Sequence, residues 1–580
     1  MRRTLAGALA LTAASAAVAQ SVKVETFTLD NGMEFLLVPR DDQPNAISAG
    51  WLARVGSVNE HPGITGISHF FEHMMFKGTS TIGTNDAAAD KVINEEIARI
   101  GERLRQEHLT TQYERWKKGE IDDPWDPAYD TPEMATLRTQ LATAMDKSHD
   151  TIVKDEFDQV YTRQGGSGMN AFTSEDLTFY FINVPSNKFE LWAWMESDRL
   201  KDPSFREFYS ERDVVHEERR LRTESTPTGP FQEQFNSMFW MSSPYNWPVV
   251  GWPTDLNSYT RPQALDYFGT YYAPNNLVGV IVGDFDPEYI KPTIEAYFGR
   301  LKRGPAAPKV VTLETTQKAE MRLNAECDCQ PQVEVRYHTV PFSHADSYPL
   351  QILSEILNGR TGRLYKQLVE GAKIASSASA GSDERKYAGA FSFNAETKGD
   401  ATPAQLEDAW YEIVKDLQTN PVSDHELQKV KNRVLANSYR RLESNFFLMI
   451  QLALDEAQGH WQYINEQPAK LAAVTADDIM RVSKKYFTPT NRSVASYTRK
   501  AGSAPEDPEL MALSPRFRQM AKQTVAQIES QNDLTVLQQM MSQIQSQASQ
   551  APPEFKPAID YIMKKLNERI STLQAGGSSN

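Results

Sequence analysis

The pentapeptide HFFEH at residues 69–73 contains the residue types that bind zinc and move protons. On a helix, residues four apart lie close together on one face, so the imidazoles of His69 and His73 can reach a single metal ion. Glu72 lies about one turn from His69, within reach of a water molecule at that ion. Zinc with three protein ligands keeps a position for such a water and lowers its pKa towards neutrality. The pentapeptide therefore predicts part of a hydrolytic zinc site, with Glu72 as the general base.

The third ligand must come from another segment, and residues 211–218, with the sequence ERDVVHEE, supply candidates. The pattern indicates a helix whose buried side holds Val214 and Val215. Residues seven apart share a helix face, so the first and last glutamates of this segment would point the same way. Spacing alone leaves four candidate ligands open: Glu211, His216, Glu217 and Glu218.

These segments resemble the M16, or pitrilysin-type, zinc metallopeptidases, which carry the inverted motif HxxEH. The resemblance covers about residues 24–500 and rests on four segments: HFFEHMMFKGT at 69–79, GMNAFT at 168–173, the helix at 211–218, and residues 272–283. It implies one Zn²⁺ per chain, bound by His69, His73 and Glu218. It also implies that Glu211 orients a zinc-binding histidine.

The same resemblance implies an α+β fold with two homologous domains, each a mixed sheet with helices on one face, closing as a clam-shell around a chamber. A substrate peptide would add as a strand to a sheet edge, and Asn170 and Ala171 match the segment that holds it. The alternative is that Asn170 only turns the chain.

An internal repeat also favours two related domains. Thr260 opens a helical pattern that leads through Pro274 to Asn276 and a strand, and the same arrangement follows Thr475, 215 residues later. We expect these divisions: a signal peptide at 1–19, an N-terminal peptidase domain at 20–303, a linker at 304–318, a C-terminal domain without a metal site at 319–504, and a helical, partly disordered tail at 505–580.

Two departures from the family pattern carry further predictions. His73 and Glu218 are 145 residues apart, about twice the usual spacing, and a helical insertion at about 87–160 accounts for the excess. Family members commonly carry an Arg and a Tyr, seven residues apart, that contact the substrate carbonyl. Val369 and Ser376 stand at those positions here. The resemblance therefore implies a partner M16-like subunit, in a hetero- or homodimer, that supplies the Arg/Tyr pair.

The N-terminus predicts export to the periplasm of a Gram-negative bacterium. Arg2 and Arg3 precede an apolar run, and Ala17-Val18-Ala19 is typical of a signal-peptidase site. No later segment is long and apolar enough to cross a bilayer, so we expect no transmembrane segment in the mature chain. A formal net charge of −15 disfavours nucleic-acid partners.

The two cysteines, Cys327 and Cys329, are too few for a structural zinc site. In an oxidising compartment they would form either a local disulfide or a bond between chains.

The main functional hypothesis is a zinc endopeptidase that cleaves short or unfolded peptides inside the chamber. One alternative is a catalytically silent binding or assembly subunit with the same fold. Another is a zinc hydrolase that acts on small molecules rather than on peptides. The complete set of His69, Glu72, His73 and Glu218 argues against a silent subunit, because a decayed site would have lost ligands.

Overall fold

The computed structural model describes residues 21–500, 507–548 and 551–576, so the predicted signal peptide lies outside the described residues. The strands are β1 (Glu25–Thr28), β2 (Glu34–Pro39), β3 (Ile47–Ala53), β4 (Ser167–Thr173), β5 (Thr178–Val184), β6 (Leu277–Gly283), β7 (Met321–Cys327), β8 (Gln332–Thr339), β9 (Ala375–Glu384), β10 (Gly389–Thr397) and β11 (Arg492–Arg499).

The helices of the first half are α1 (Ile67–Met74), α2 (Ala87–Glu107), α3 (Tyr113–Lys117), α4 (Pro132–Ser148), α5 (Glu156–Arg163), α6 (Phe189–Lys201), α7 (Phe208–Arg219), α8 (Gly229–Phe239), α9 (Pro253–Ser258), α10 (Arg261–Tyr271) and α11 (Pro287–Phe298). Those that follow are α12 (Ser347–Leu357), α13 (Pro403–Thr419), α14 (Asp424–Leu442), α15 (Asn445–Gln458), α16 (Tyr463–Ala473), α17 (Ala476–Tyr486), α18 (Pro508–Met511), α19 (Pro515–Ser530), α20 (Leu534–Ala548) and α21 (Lys556–Gly576).

The protein is an α+β protein with two mixed sheets. The first has the strand order β1-β2-β6-β3-β5-β4, and the second has the order β7-β11-β8-β10-β9. In the first sheet only β2 and β6 run parallel, and in the second only β7 and β11 do. The five strands of the second sheet therefore repeat the arrangement of the last five of the first. Strand β4 lies at an edge of its sheet, next to β5 alone.

The sequence repeat corresponds to repeated local structure. Thr260 and Thr475 each begin a helix, α10 and α17, with a capping box. Asn276 and Asn491 each donate a side-chain N–H, at 2.8 Å, to the backbone carbonyl of the residue five positions earlier. The same polar contacts lead the chain from α10 into β6 and from α17 into β11.

Both faces of the first sheet are covered by buried apolar side chains. One face packs against helices through large buried side chains such as Trp51, Phe71 and Trp192. The other face packs against α15, whose Leu448 and Leu452 contact the apolar side chains of that sheet. Since α15 lies between α14 and α16 in the second half, this contact joins the two halves of the chain by apolar burial.

The predicted helical insertion forms two packed helices, α2 and α4. They are linked through a π-helical segment at His108–Gln112, followed directly by α3. Helix α4 ends at Ser148, and Ile152 then forms a β-bridge with Thr84. The insertion therefore closes on itself at the base, beside α1.

The tail forms its own helical bundle. Helices α19, α20 and α21 share a buried core that includes Ile528, Leu537 and Leu566. Arg518 of α19 pairs with Glu396 of β10. None of the helices in the described part of the chain has the length and apolar character needed to cross a membrane.

Candidate metal centre

Helix α1 positions the zinc motif by burying its apolar side. Phe70 packs edge-on against Phe208, with ring centroids 4.8 Å apart, and Phe71 is fully buried. At the start of the helix, Glu60 accepts hydrogen bonds from the backbone N–H groups of Gly66 and Ser68 at 2.7 and 2.8 Å. This contact satisfies two of the N–H groups that a helix start leaves unpaired. The two phenylalanines fix the rotation of α1, so its histidines face the cleft.

The structure brings His69, His73 and Glu218 together. The Nε2 atom of His69 lies 3.5 Å from one carboxylate oxygen of Glu218, and the Nε2 atom of His73 lies 3.2 Å from the other. One ligand atom from each residue fits within 4.8 Å of the others, and no second cluster of this kind occurs among the described residues. Two imidazole nitrogens and one carboxylate oxygen are a ligand set typical of catalytic zinc, so the residues fit that ion.

Helix α7 decides which of the four candidates reaches the cluster. Glu218 does, whereas Glu217 is exposed and pairs with Arg220. His216 lines a different cavity, on the opposite side of the helix. The prediction that Val214 is buried is wrong, because it is 48% exposed. Val215 is buried and lies on the same face as Glu211, four residues earlier, whereas Val214 is rotated about 100° away into solvent.

Glu211 contacts the other ring nitrogen of His73. The Nδ1 atom of His73 donates to Glu211 Oε1 at 2.9 Å, which directs Nε2 towards Glu218. The ammonium group of Lys77 lies 2.6 Å from Glu211 Oε2. Sequence reasoning missed Lys77, which lies in the turn just after α1, four residues beyond His73.

The carboxylates control the electrostatics of the cluster. Burial alone would lower the pKa of His73, but Glu211 and Glu218 raise it to about 9. Hydrogen bonds from His69 and then His73 hold the pKa of Glu218 well below its usual range. Arg222 also pairs with Glu218, one helical turn later. Even with Lys77 and Arg222 paired to them, the two carboxylates therefore favour a cation, whether a proton or a metal ion, at the imidazole of His73.

Glu72 lies beside the cluster and is held by strand β4. Thr173 Oγ1 donates to Glu72 Oε2 at 2.6 Å. Thr173 was not singled out from the sequence, although it ends the GMNAFT segment. The cleft beside Glu72 and His73 is also lined by residues 152–157, at the base of the insertion.

The predicted substrate segment lies on the edge strand. Asn170 is exposed and lines the same cleft as Glu72, whereas the side chain of Ala171 is buried. Asn170 does not turn the chain, because it lies inside β4, paired with Phe181 of β5. The free side of β4 is available to an added strand.

The remaining predicted positions lie in the second half. Val369 lies in a π-helical segment, Tyr365–Gly371, and packs against the second core. Ser376 lies in β9 and donates a long hydrogen bond, 3.4 Å, to Glu396. Cys327 and Cys329 form a disulfide within the chain rather than between chains.

Comparisons with known proteins agree with this geometry. A family model described as "Insulinase (Peptidase family M16)" matches residues 37–114, and one described as "Peptidase M16 inactive domain" matches residues 258–434. The zinc protease PqqE of Helicobacter pylori is 26% identical over 498 residues, which cover 84% of this chain and 96% of the relative.

Two solved structures share the fold. The crystal structure of a protease from Helicobacter pylori superposes with a TM-score of 0.67 at 23% identity, covering 82% of this chain and all of the other. The periplasmic protease PqqL from Escherichia coli gives a TM-score of 0.60 at 16% identity, covering 85% of this chain and 49% of the other. Two M16 family models therefore match this chain, at residues 37–114 and 258–434, and its HxxEH helix and duplicated sheet topology agree with those matches.

Proposed function

We propose that this chain is a zinc-dependent endopeptidase that cleaves short or unfolded peptides. The observation that carries the proposal is the convergence of His69, His73 and Glu218 next to Glu72, in a cleft bordered by an open sheet edge. The names of the relatives as zinc proteases support the same metal.

In this proposal His69, His73 and Glu218 hold one zinc ion, and Glu211 fixes the ring of His73. Zinc, when bound, acts as a Lewis acid that polarises the scissile carbonyl and acidifies water. Glu72 Oε1 or Oε2 accepts a proton from the attacking water and delivers it to the nitrogen of the leaving amine. The hydroxyl of Thr173 restrains the Glu72 carboxylate for both transfers.

The substrate would bind as an added strand on β4. Such a strand forms backbone hydrogen bonds with the open edge at Asn170 and Ala171 and passes beside Glu72. Backbone pairing selects extended chains over folded ones, which supports short or unfolded peptides as substrates.

We also propose that the insertion restricts access to the cleft. Its base, residues 152–157, lines the same cleft as Glu72. Replacing residues 85–150 with a short Gly/Ser loop should broaden the range of peptides cleaved. An unchanged cleavage pattern in a folded deletion variant would exclude this role.

A partner subunit is part of the proposal, because Val369 and Ser376 offer no charged or phenolic group to the substrate carbonyl. An M16-like partner, related or identical, would supply the Arg and Tyr. We further propose that the chain works in the periplasm, which the predicted signal peptide and the periplasmic relative PqqL support.

The second candidate is a silent assembly subunit, which the "inactive domain" match at residues 258–434 favours. That match begins near the end of the first half and lies mainly in the second, which carries no HxxEH motif, while the first half retains every predicted zinc ligand.

The deciding experiment measures zinc content and cleavage of a peptide library, with the chain alone and with any co-purifying partner. We expect one zinc per chain, and we expect Glu72→Gln to keep zinc while losing at least about 1,000-fold in cleavage rate. Glu217→Gln is the matched control on an exposed acid. Zinc-loaded wild type that cleaves no peptide, either alone or with its partner, would favour the silent subunit. Cleavage of small esters or amides but not of peptides would favour a different hydrolase.

A further inference from the structure

A second cavity lies between the insertion and α7, and we call it the hairpin cavity. It has a volume of about 500 Å³ and is lined by side chains of Tyr209, Arg212 and His216 from α7, together with Arg138, His108 and Trp125 from the insertion. On α7, Arg212 and His216 are rotated by roughly 100–140° from Glu211, and Glu218 lies within about 20° of Glu211. The hairpin cavity and the metal cluster therefore lie on opposite sides of one helix.

Arg212 is a cation without a counter-ion in this cavity. Its guanidinium group stacks over the ring of Tyr209, 5.0 Å from the centroid, and donates one hydrogen bond to the carbonyl of Asn257 at 2.9 Å. Its Nε atom is buried and has no hydrogen-bond partner in the described part of the chain. Across residues 21–500, 507–548 and 551–576, no carboxylate pairs with it within 4.0 Å. A buried guanidinium without an anion is costly, so the arrangement favours an anionic ligand.

Three further polar groups of the cavity are buried and unpartnered within the described residues. They are the hydroxyl of Tyr209, the indole N–H of Trp125 and the Nε2 atom of His216. Tyr209 is only 5% exposed, so solvent hardly reaches its hydroxyl. The hydroxyl and the indole N–H are hydrogen-bond donors, and the histidine nitrogen is a donor in one of its tautomers. A ligand that accepts several hydrogen bonds would satisfy these groups.

The insertion completes the positive wall. Arg138 lies on α4 and approaches His108 Nε2 at 3.5 Å, while the ring of His108 stacks on Trp125 with centroids 4.4 Å apart. Arg138 is partly offset by its ion pair with Asp130. Arg105 at the same cavity donates to the carbonyl of Ser258.

The acidic groups of the cavity stand at its rim. Asp213, Glu217 and Glu224 are exposed to solvent. Glu217 pairs with Arg220 and Glu224 pairs with Arg219, while the exposed Asp213 offsets the charge of Arg212 in part but forms no ion pair with it. The buried part of the cavity therefore remains cationic.

We propose that the hairpin cavity binds a small oxyanion, a phosphate or a carboxylate, between Arg212 and the Trp125–His108 stack. The anion joins the insertion to α7 by charge-assisted hydrogen bonds. Since the insertion lies outside the repeated part of the fold, the site belongs to this addition and not to the metal centre.

The test is isothermal titration calorimetry on the zinc-loaded full chain at constant ionic strength, with inorganic phosphate and benzoate as separate probes. We expect saturable binding of at least one probe, weakened at least about tenfold by Arg212→Gln and by Trp125→Phe. Arg103→Gln, which removes an exposed arginine paired with Glu133 on the outer side of the hairpin, is the matched control. Binding of phosphate or of benzoate shows whether the cavity takes a phosphate or a carboxylate.

Circular dichroism and the melting temperature without anion show whether each variant folds. If Arg212→Gln does not fold, anion binding is tested with Trp125→Phe and Arg138→Gln instead. Zinc itself attracts anions, so His73→Ala is titrated in parallel. Binding that persists in His73→Ala but is lost in the cavity variants supports the proposal. Binding lost in His73→Ala and kept in the cavity variants overturns it, as does the absence of saturable binding of either probe at about 10 mM.

Discussion

Exchange of Glu211 for Gln tests whether the carboxylate behind His73 controls metal affinity. In the structure Glu211 Oε1 accepts from His73 Nδ1 at 2.9 Å, and Oε2 lies 2.6 Å from the ammonium group of Lys77. Gln keeps the shape of the side chain and one acceptor oxygen. It removes the negative charge, and its amide N–H₂ would then face either the ammonium or the N–H of the ring.

The expected magnitude follows from these two contacts. A hydrogen bond to a charged group contributes about 1.5–3 kcal/mol, whereas a neutral one contributes about 1 kcal/mol. The difference is about 0.5–2 kcal/mol for one such contact, and loss of the group that orients a metal-binding histidine typically costs about 10- to 100-fold in metal affinity. We therefore expect a cost of about 1.5–2.5 kcal/mol of zinc binding, or roughly 10- to 70-fold in affinity.

The assay is a competition titration of zinc against a chromophoric chelator, with wild type and variant at the same pH. Glu217→Gln is the control, because Glu217 carries the same charge on the same helix but is exposed and paired with Arg220. We expect the control to bind zinc as wild type does. Thermal unfolding of the metal-free variants separates a loss of zinc affinity from a loss of fold.

Zinc affinity of a folded Glu211→Gln variant within about twofold of wild type would refute the reasoning. It would mean that the ring of His73 is fixed by packing on α1 alone. An equal loss in Glu217→Gln would point instead to the overall charge of α7.

Three further predictions concern the support of the site and the second half. Thr173→Val should lower kcat/KM about tenfold with unchanged zinc content, because Glu72 loses a 2.6 Å hydrogen bond; equal kinetics would contradict this. Arg206 is 1% exposed and bonded to three backbone carbonyls and to Asp90. Exchanging it for Met should lower the free energy of unfolding, measured with urea, by about 3–5 kcal/mol. Burial alone would raise the pKa of Asp346, but Lys485, Tyr486 and Arg481 hold it below its usual range. Such a carboxyl stabilises the fold above its unfolded pKa of about 4 and loses that contribution as the pH falls. Asp346→Asn should therefore lower the melting temperature at pH 7 and make it fall less steeply as the pH is lowered. The same fall in variant and wild type would show that Asp346 does not contribute to acid unfolding.

Local sequence determined the elements that carry the chemistry. The zinc motif predicted α1 and its two histidines, because four-residue spacing and two adjacent phenylalanines fix one face of a helix. The recurring Thr, Pro and Asn predicted the duplicated helix-to-strand turns, since capping and turn formation depend on contacts a few residues apart.

Other features depended on contacts distant in sequence, which local patterns do not encode. ERDVVHEE permits several inward-facing residues, and the packing of α7 against α1 decides that Glu218 and Val215 face the centre while Val214 faces solvent. The packing of α15 on the first sheet joins residues some 400 positions apart, a contact that no local pattern encodes. The hairpin cavity likewise exists only where the insertion meets α7. Sequence by itself determined which residues could bind a metal, because ligand type and helical period are local properties; tertiary packing decided which of them meet.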